Sequence, residues 1–178
     1  MKRVFVCAGA NLANNQNINK QAYELGLILA KNNLKYVQGG SANGVMGETL
    51  KSFLTKSKHV EIIIPKTYYN NDAPSLKKLL GEGIFNPIIV TQETERLQII
   101  KSCDHIIVLP GGTGTLEELL YSNETLRAGE HFAKLYIINI DGFFNGVLKQ
   151  FETNINEGLS KPSGMHFKVL NSVDEIVF

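Results

Sequence analysis

A doubly wound α/β fold is what this sequence predicts, and two observations predict it. Short apolar runs of strand length alternate with helix-spaced segments along the whole chain, and glycine-rich turns follow three of those runs. Continuous apolar strands alternating with helices are what a parallel sheet covered on both faces requires, because each strand is then buried from both sides. At 178 residues the chain is long enough for one well-buried core and short for two. Residues 1–178 therefore read as a single domain, with no repeat, low-complexity tract or linker to mark a second.

Each element follows in order. VFVCA (4–8) is the first strand, and residues 18–31 carry helical spacing in Ala22, Leu25 and Leu29. KYV (35–37) is the second strand, and QGGSANGVMGE leads into a helix ending near Lys56. VEIIIP (60–65) is the third. Residues 65–83, with KTYYNNDAPSLKKLLGEG, mix paired asparagines, a proline and two glycines, and predict an irregular loop or rim with one short helix. NPIIV (86–90), a helix over 92–102, the strand HIIVLP, a helix over 115–127, the strand KLYIINI (134–140) and a helix over 143–156 complete the alternation. The tail adds a short strand, FKVL, and a closing helical turn. The whole is Rossmann-like.

Composition narrows the function. With 43% hydrophobic residues, 20% charged residues and a formal net charge of +1, the chain has no electrostatic footprint for a duplex or an anionic membrane. Neither nucleic acid nor membrane is an expected partner. The opening MKRVFVCAGAN has an apolar run too short for a secretion signal, and no segment approaches the roughly 18–20 apolar residues of a membrane span. Cys7 and Cys103 fall in predicted core strands or at their edges and read as small buried hydrophobes, so a reducing cytoplasm is the expected compartment. His59, His105, His131 and His166 lack ligand spacing, so no metal is expected, and His105, within a core strand, reads as structural.

In a doubly wound sheet, ligands bind at the carboxyl ends of the strands. Three such ends carry small-residue turns here: CAGAN, QGGSANGVMG and PGGTGT. Glycine at a strand-to-helix corner often only relieves backbone strain, but three turns at one edge favour an anion site. Gly39 and Gly44 have P-loop spacing, yet Val45 and Met46 stand where a lysine and a hydroxyl are needed. In PGGTGTLEE the third glycine of a dinucleotide fingerprint would fall at Glu117. What remains is a smaller anion, a phosphate monoester, met by Gly112, Gly114 and Thr115 at a helix start whose first amides have no internal partner. Helical phase separates the adjacent acids. Leu116, Leu119, Leu120 and Leu126 predict the buried stripe, and Thr115, Glu118 and Ser122 share one flank, so Glu118 leans back toward the ligand. Glu117 projects about 100° away and reads as solvated.

These residues resemble a known family, the LOG-type phosphoribohydrolases, once labelled possible lysine decarboxylases. Its PGGxGTxxE marker stands intact from Pro110 through Gly111, Gly112, Thr113, Gly114 and Thr115 to Glu118, and its GGxxxGxMG turn matches Gly39, Gly40, Gly44, Met46 and Gly47. Strand order and spacing agree over about residues 3 to 160. The resemblance implies hydrolysis of the N-glycosidic bond of a nucleoside 5′-monophosphate, AMP-like or a cytokinin nucleotide, to free base and ribose 5-phosphate. It implies Glu118 as the catalytic carboxylate and Arg96 as the catalytic arginine, with Gly40, Gly44 and the Gly111, Gly112, Thr113, Gly114, Thr115 loop holding the nucleotide. It also implies a homodimer and no cofactor. Glu93, Thr94, Glu95 and Leu97 replace the methionine, histidine and lysine usual around the arginine, and this altered segment motivates the alternative of a nucleotide carrier or sensor that does not cleave. Pyridoxal phosphate chemistry needs a buried lysine, and the motifs present none; Lys66 is the one strand-end lysine to consider as a ligand contact.

Overall fold

The computed structural model describes residues 1–178, with the side chain of Glu93 outside the described residues. The chain runs β1 (Arg3–Cys7), α1 (Gln16–Lys31), β2 (Lys35–Gln38), α2 (Gly44–Leu54), β3 (Val60–Pro65), α3 (Lys66–Leu80), β4 (Ile88–Val90) and α4 (Glu93–Lys101). It continues through β5 (His105–Val108), α5 (Thr113–Arg127), β6 (Lys134–Ile138), α6 (Asn145–Asn156) and β7 (Phe167–Leu170). Seven strands form one all-parallel sheet in the order β4-β3-β2-β1-β5-β6-β7. The fold is the Rossmann-like α/β one that the alternation of runs predicts.

Alternation along the strands divides the core in two. Val4, Val6, Tyr36, Ile62, Ile64 and Ile107 face α1, α2 and α3, whereas Phe5, Cys7, Val37, Ile63, Ile106 and Val108 face the side covered by α4, α5 and α6. On the first side, α1 and α2 meet so closely at Gly26 that a Cβ there would lie 1.9 Å from Ser52 Oγ and 2.2 Å from the Thr49 carbonyl oxygen. Chain order reverses between β1 and β5, and the crevice above their carboxyl ends is the switch point where such sheets take ligands.

Two expectations are corrected. Residues 66–80 are a continuous helix, α3, and not an irregular loop. Its Ala73, Leu76 and Leu80 are buried and the partly buried Tyr69 continues the same stripe, so packing overrides the weak local propensity and the internal Pro74. On α5, Leu120 is 50% exposed, while Thr115, Glu118, Leu119 and Ser122 form the buried face. Apolar content misled there because the sheet side of this helix opens into a polar crevice.

The amino edge of the sheet is closed by charge. Glu61 on β3 pairs with Arg3 on β1 and with Lys35 on β2, the latter at 2.6 Å. Burial pushes the Glu61 carboxyl up, but these two cations outweigh it and hold the group below the usual carboxylate range. His105, at the same edge, is buried against Tyr136 and Phe178, and His131 is buried with Nε2 3.0 Å from Thr125 Oγ1. Burial lowers the pKa of both imidazoles.

A pH dependence follows. The unfolded chain takes up protons on these histidines near pH 6.5, whereas the folded chain resists until lower pH, so stability is full above that value and falls as pH drops through it. Thermal unfolding midpoints should therefore decline between about pH 6.5 and 5, before most carboxylates titrate. His105→Phe should flatten part of the decline.

Candidate active site

The site is built from three turns that meet at the switch point. The loop after β1 touches the loop after β5 through Gly9 N–H donating to the Pro110 carbonyl at 3.1 Å. It touches the start of α2 through Met46 N–H to Gly9 O at 3.0 Å and Val45 N–H to Asn11 O at 3.3 Å. These approaches require missing side chains. A Cβ on Gly44, whose φ is +67°, would lie 2.2 Å from the Ala10 carbonyl carbon, and one on Gly111 would lie 2.1 Å from Thr115 Oγ1. Gly40, at φ +98°, would press a Cβ to 2.7 Å from Ile63 O. Much of the glycine pattern thus serves packing between turns, and the first amides of α2 are already engaged.

Gly112 and Gly114 differ. A Cβ at either would meet no protein atom within 4 Å, so the protein makes no steric demand for glycine there, and the room they leave belongs to the cavity. α5 begins at Thr113 without a side-chain cap, and its first helical bond runs from Leu116 N–H to Gly112 O at 3.1 Å. The preceding amides, of Thr113, Gly114 and Thr115, lie at the positive end of the helix. The Thr115 side chain is buried, its hydroxyl tucked beneath Gly111.

A cavity of about 930 Å³ joins these turns, lined by Gly40 and Gly111 through Thr115 together with Arg96 and Glu118. Arg96 Nη2 lies 3.3 Å from Glu118 Oε1, and both side chains are withdrawn from solvent. Gly39 lies against the pair: a Cβ there would sit in ordinary contact, 3.4 Å from Arg96 Nη1 and 3.7 Å from Glu118 Oε1. Glu118 is 4% exposed, whereas Glu117 is exposed at the rim, so helical phase separates the two acids as the spacing predicts. Gly44 lines no part of this cavity and Lys66 is exposed outside it.

The altered segment around Arg96 has a local account. Glu95 accepts hydrogen bonds from Thr91 N–H at 2.8 Å and Thr91 Oγ1 at 2.9 Å, tying down the entry to α4, and Leu97 is buried in the core. The helix is thereby anchored on both sides of Arg96. Glu93 lies outside the described residues as a side chain. No group of metal-ligating side chains occurs among the described residues.

Three features in and beneath the cavity escaped sequence reading. Cys7, at the end of β1, is a buried core residue as expected, but its thiol also hydrogen-bonds to Glu118. Burial first and that carboxylate second push the thiol pKa well up, so it remains a neutral S–H. Its position at a strand end beside a glycine turn was the available signal. Tyr68 and Asp72 also line the cavity, from a helix that local propensity concealed, and Phe143 contributes from the turn after β6.

Comparison with known proteins gives this geometry a lineage. The family model described as possible lysine decarboxylase matches residues 46–177. Cytokinin riboside 5′-monophosphate phosphoribohydrolase LOG1 of Arabidopsis thaliana is 31% identical over 94% of this chain and 76% of its own length. The chain belongs to the LOG family. LOG5 of the same plant, another cytokinin riboside 5′-monophosphate phosphoribohydrolase, is 32% identical over 94% of this chain and 72% of its own. The fold also recurs in the molybdenum cofactor carrier protein of Chlamydomonas reinhardtii, with TM-score 0.64 and 18% identity over 97% of this chain and 91% of that one. The molybdenum cofactor binding protein of Rippkaea orientalis gives 0.63 and 19% over the same shares. LOG membership supports an enzyme of the phosphoribohydrolase type.

The open end of α5 can be tested apart from any chemistry. Gly114→Ala should leave the thermal midpoint unchanged or slightly raised, because alanine is the better helix former and meets no neighbour. The same substitution should weaken binding of ribose 5-phosphate by about tenfold or more, measured calorimetrically, by filling the space an anion needs.

Proposed function

We propose that this protein hydrolyses the N-glycosidic bond of a nucleoside 5′-monophosphate, releasing free base and ribose 5-phosphate. The observation that carries the reading is the buried Arg96–Glu118 pair, set in one cavity with the unpartnered amide end of α5. Binding a phosphate needs the amides alone. A withdrawn carboxylate beside them is what an oxocarbenium-like ribose needs, since positive charge grows at the anomeric carbon as the base leaves. Glu118 stabilises that charge and takes a proton from the attacking water. The carbon–nitrogen bond breaks with its electron pair going to the base, water supplies the oxygen on the sugar, and the base takes up one proton in exchange for the one that Glu118 removes from water and returns to solvent. Arg96, permanently cationic, meets the negative charge on the leaving base or clamps the sugar phosphate. Glu117 is no second glycosidase carboxylate, because neighbours on a helix cannot face each other across a substrate.

A carrier reading draws on the solved carriers that share the fold and on the altered arginine segment. Base release separates the two. Incubation with AMP, CMP, GMP, UMP and isopentenyladenosine monophosphate, following base and ribose 5-phosphate, should detect turnover of at least one. Glu118→Gln should lower turnover at least 100-fold or so while binding persists, and Glu117→Ala should change neither. Tight binding of every nucleotide without cleavage would leave only the carrier.

The resemblance to LOG enzymes further implies a homodimer, and exposed apolar side chains on and just after α5 support it. Leu120 on α5 is 50% exposed, and Phe132, just after that helix, is 94% exposed. Light scattering should give twice the chain mass, and Leu120→Glu with Phe132→Glu should reduce it to one chain. Two buried free thiols, Cys7 and Cys103, accord with the expected reducing cytoplasm, and among the described residues no helix is long and apolar enough to cross a membrane.

A further inference from the structure

α3 carries two adjacent stripes with different duties. Tyr69, Ala73, Leu76 and Leu80 turn toward the core, at i, i+4, i+7 and i+11. One position earlier, Tyr68 and Asp72 stand at i and i+4 and line the same cavity as Arg96 and Glu118. Tyr68 is 58% exposed, and Asp72 is half-buried. Among the described residues no side-chain hydrogen bond or ion pair engages the Asp72 carboxylate, and burial raises its pKa.

Position along the sheet edge says what part of a ligand would lie there. The open amides of α5 follow β5, Glu118 and Gly39 stand over β1 and β2, and α3 begins directly at the end of β3. From β5 to β3 is three strand spacings, about 14 Å. A phosphate, a ribose and a base laid in that order would bring phosphate to α5, the anomeric carbon to Glu118 and the base to α3. This placement rests on the hydrolase or carrier reading only in taking a nucleoside monophosphate as the ligand.

We propose that Tyr68 and Asp72 form the base-recognition face, with the Tyr68 ring as a stacking platform and the Asp72 carboxylate accepting an N–H from an exocyclic amino group of the base. A carboxylate at that point attracts an amino group and repels a carbonyl oxygen, so the site selects 6-aminopurine over 6-oxopurine nucleotides. An aromatic face is indifferent to that distinction and contributes equally to both.

AMP and IMP differ at this one substituent and make the test. Binding of AMP, IMP and ribose 5-phosphate is measured by calorimetry for the wild type, Asp72→Asn and Tyr68→Ala, with base release followed in parallel. The wild type should prefer AMP by about tenfold or more, the value of one hydrogen bond to a charged group. Asp72→Asn should bring the two nucleotides to within about twofold, because an amide can also donate to the 6-oxygen. Tyr68→Ala should weaken both purines alike, and neither substitution should alter ribose 5-phosphate binding. A wild type that does not distinguish AMP from IMP, or an AMP preference that survives in Asp72→Asn, overturns the assignment. A preference seen in binding without release of base would retain it and remove the hydrolase reading instead.

Discussion

Everything at the carboxyl edge depends on backbone meeting backbone. The turns after β1, β2 and β5 converge above the switch point, and the bonds Gly9 N–H to Pro110 O and Met46 N–H to Gly9 O lock them to one another. Side chains at Gly44 or Gly111 would drive these strands of loop apart by the width of a methyl group. Interiors are close-packed and do not absorb such displacement without cost. The turns set where α5 begins, and the start of α5 sets where Glu118 stands one turn later.

The buried pair is the second constraint. Breaking an ion pair withdrawn from water leaves one charge without compensation, so Arg96 and Glu118 hold one another as well as any ligand. Around them the support is local and unequal. Gly39 lies in contact with both side chains, Cys7 supplies a neutral thiol beneath the carboxylate, and Glu95 ties the entry to α4 from the solvent side. The segment around Arg96 therefore holds its arginine toward Glu118, because α4 is anchored by Leu97 and Ile100 on the core side.

The two edges of the sheet divide their work. At the amino edge, charge is satisfied internally by the Arg3, Glu61 and Lys35 cluster and by Arg3 N–H donating to Asp104 at 2.8 Å. At the carboxyl edge, helix amides and the Asp72 carboxylate are held toward the cavity. Polar groups left open at one end are tolerable because the other end and two apolar layers secure the sheet.

By itself the sequence determined the parallel α/β architecture, the strand ends that carry the site, and the difference between Glu117 and Glu118. Those properties follow from short-range rules: apolar periodicity, turn chemistry and the 100° step of a helix. Tertiary structure alone decided which glycines serve packing and which leave room, since Gly44 and Gly114 look alike until their neighbours are known. It also decided that Leu120 faces outward while Ser122 is buried, and that residues 66–80 are helical. In each case the deciding energy lies in contacts between segments distant in sequence, which a local pattern of residues does not encode.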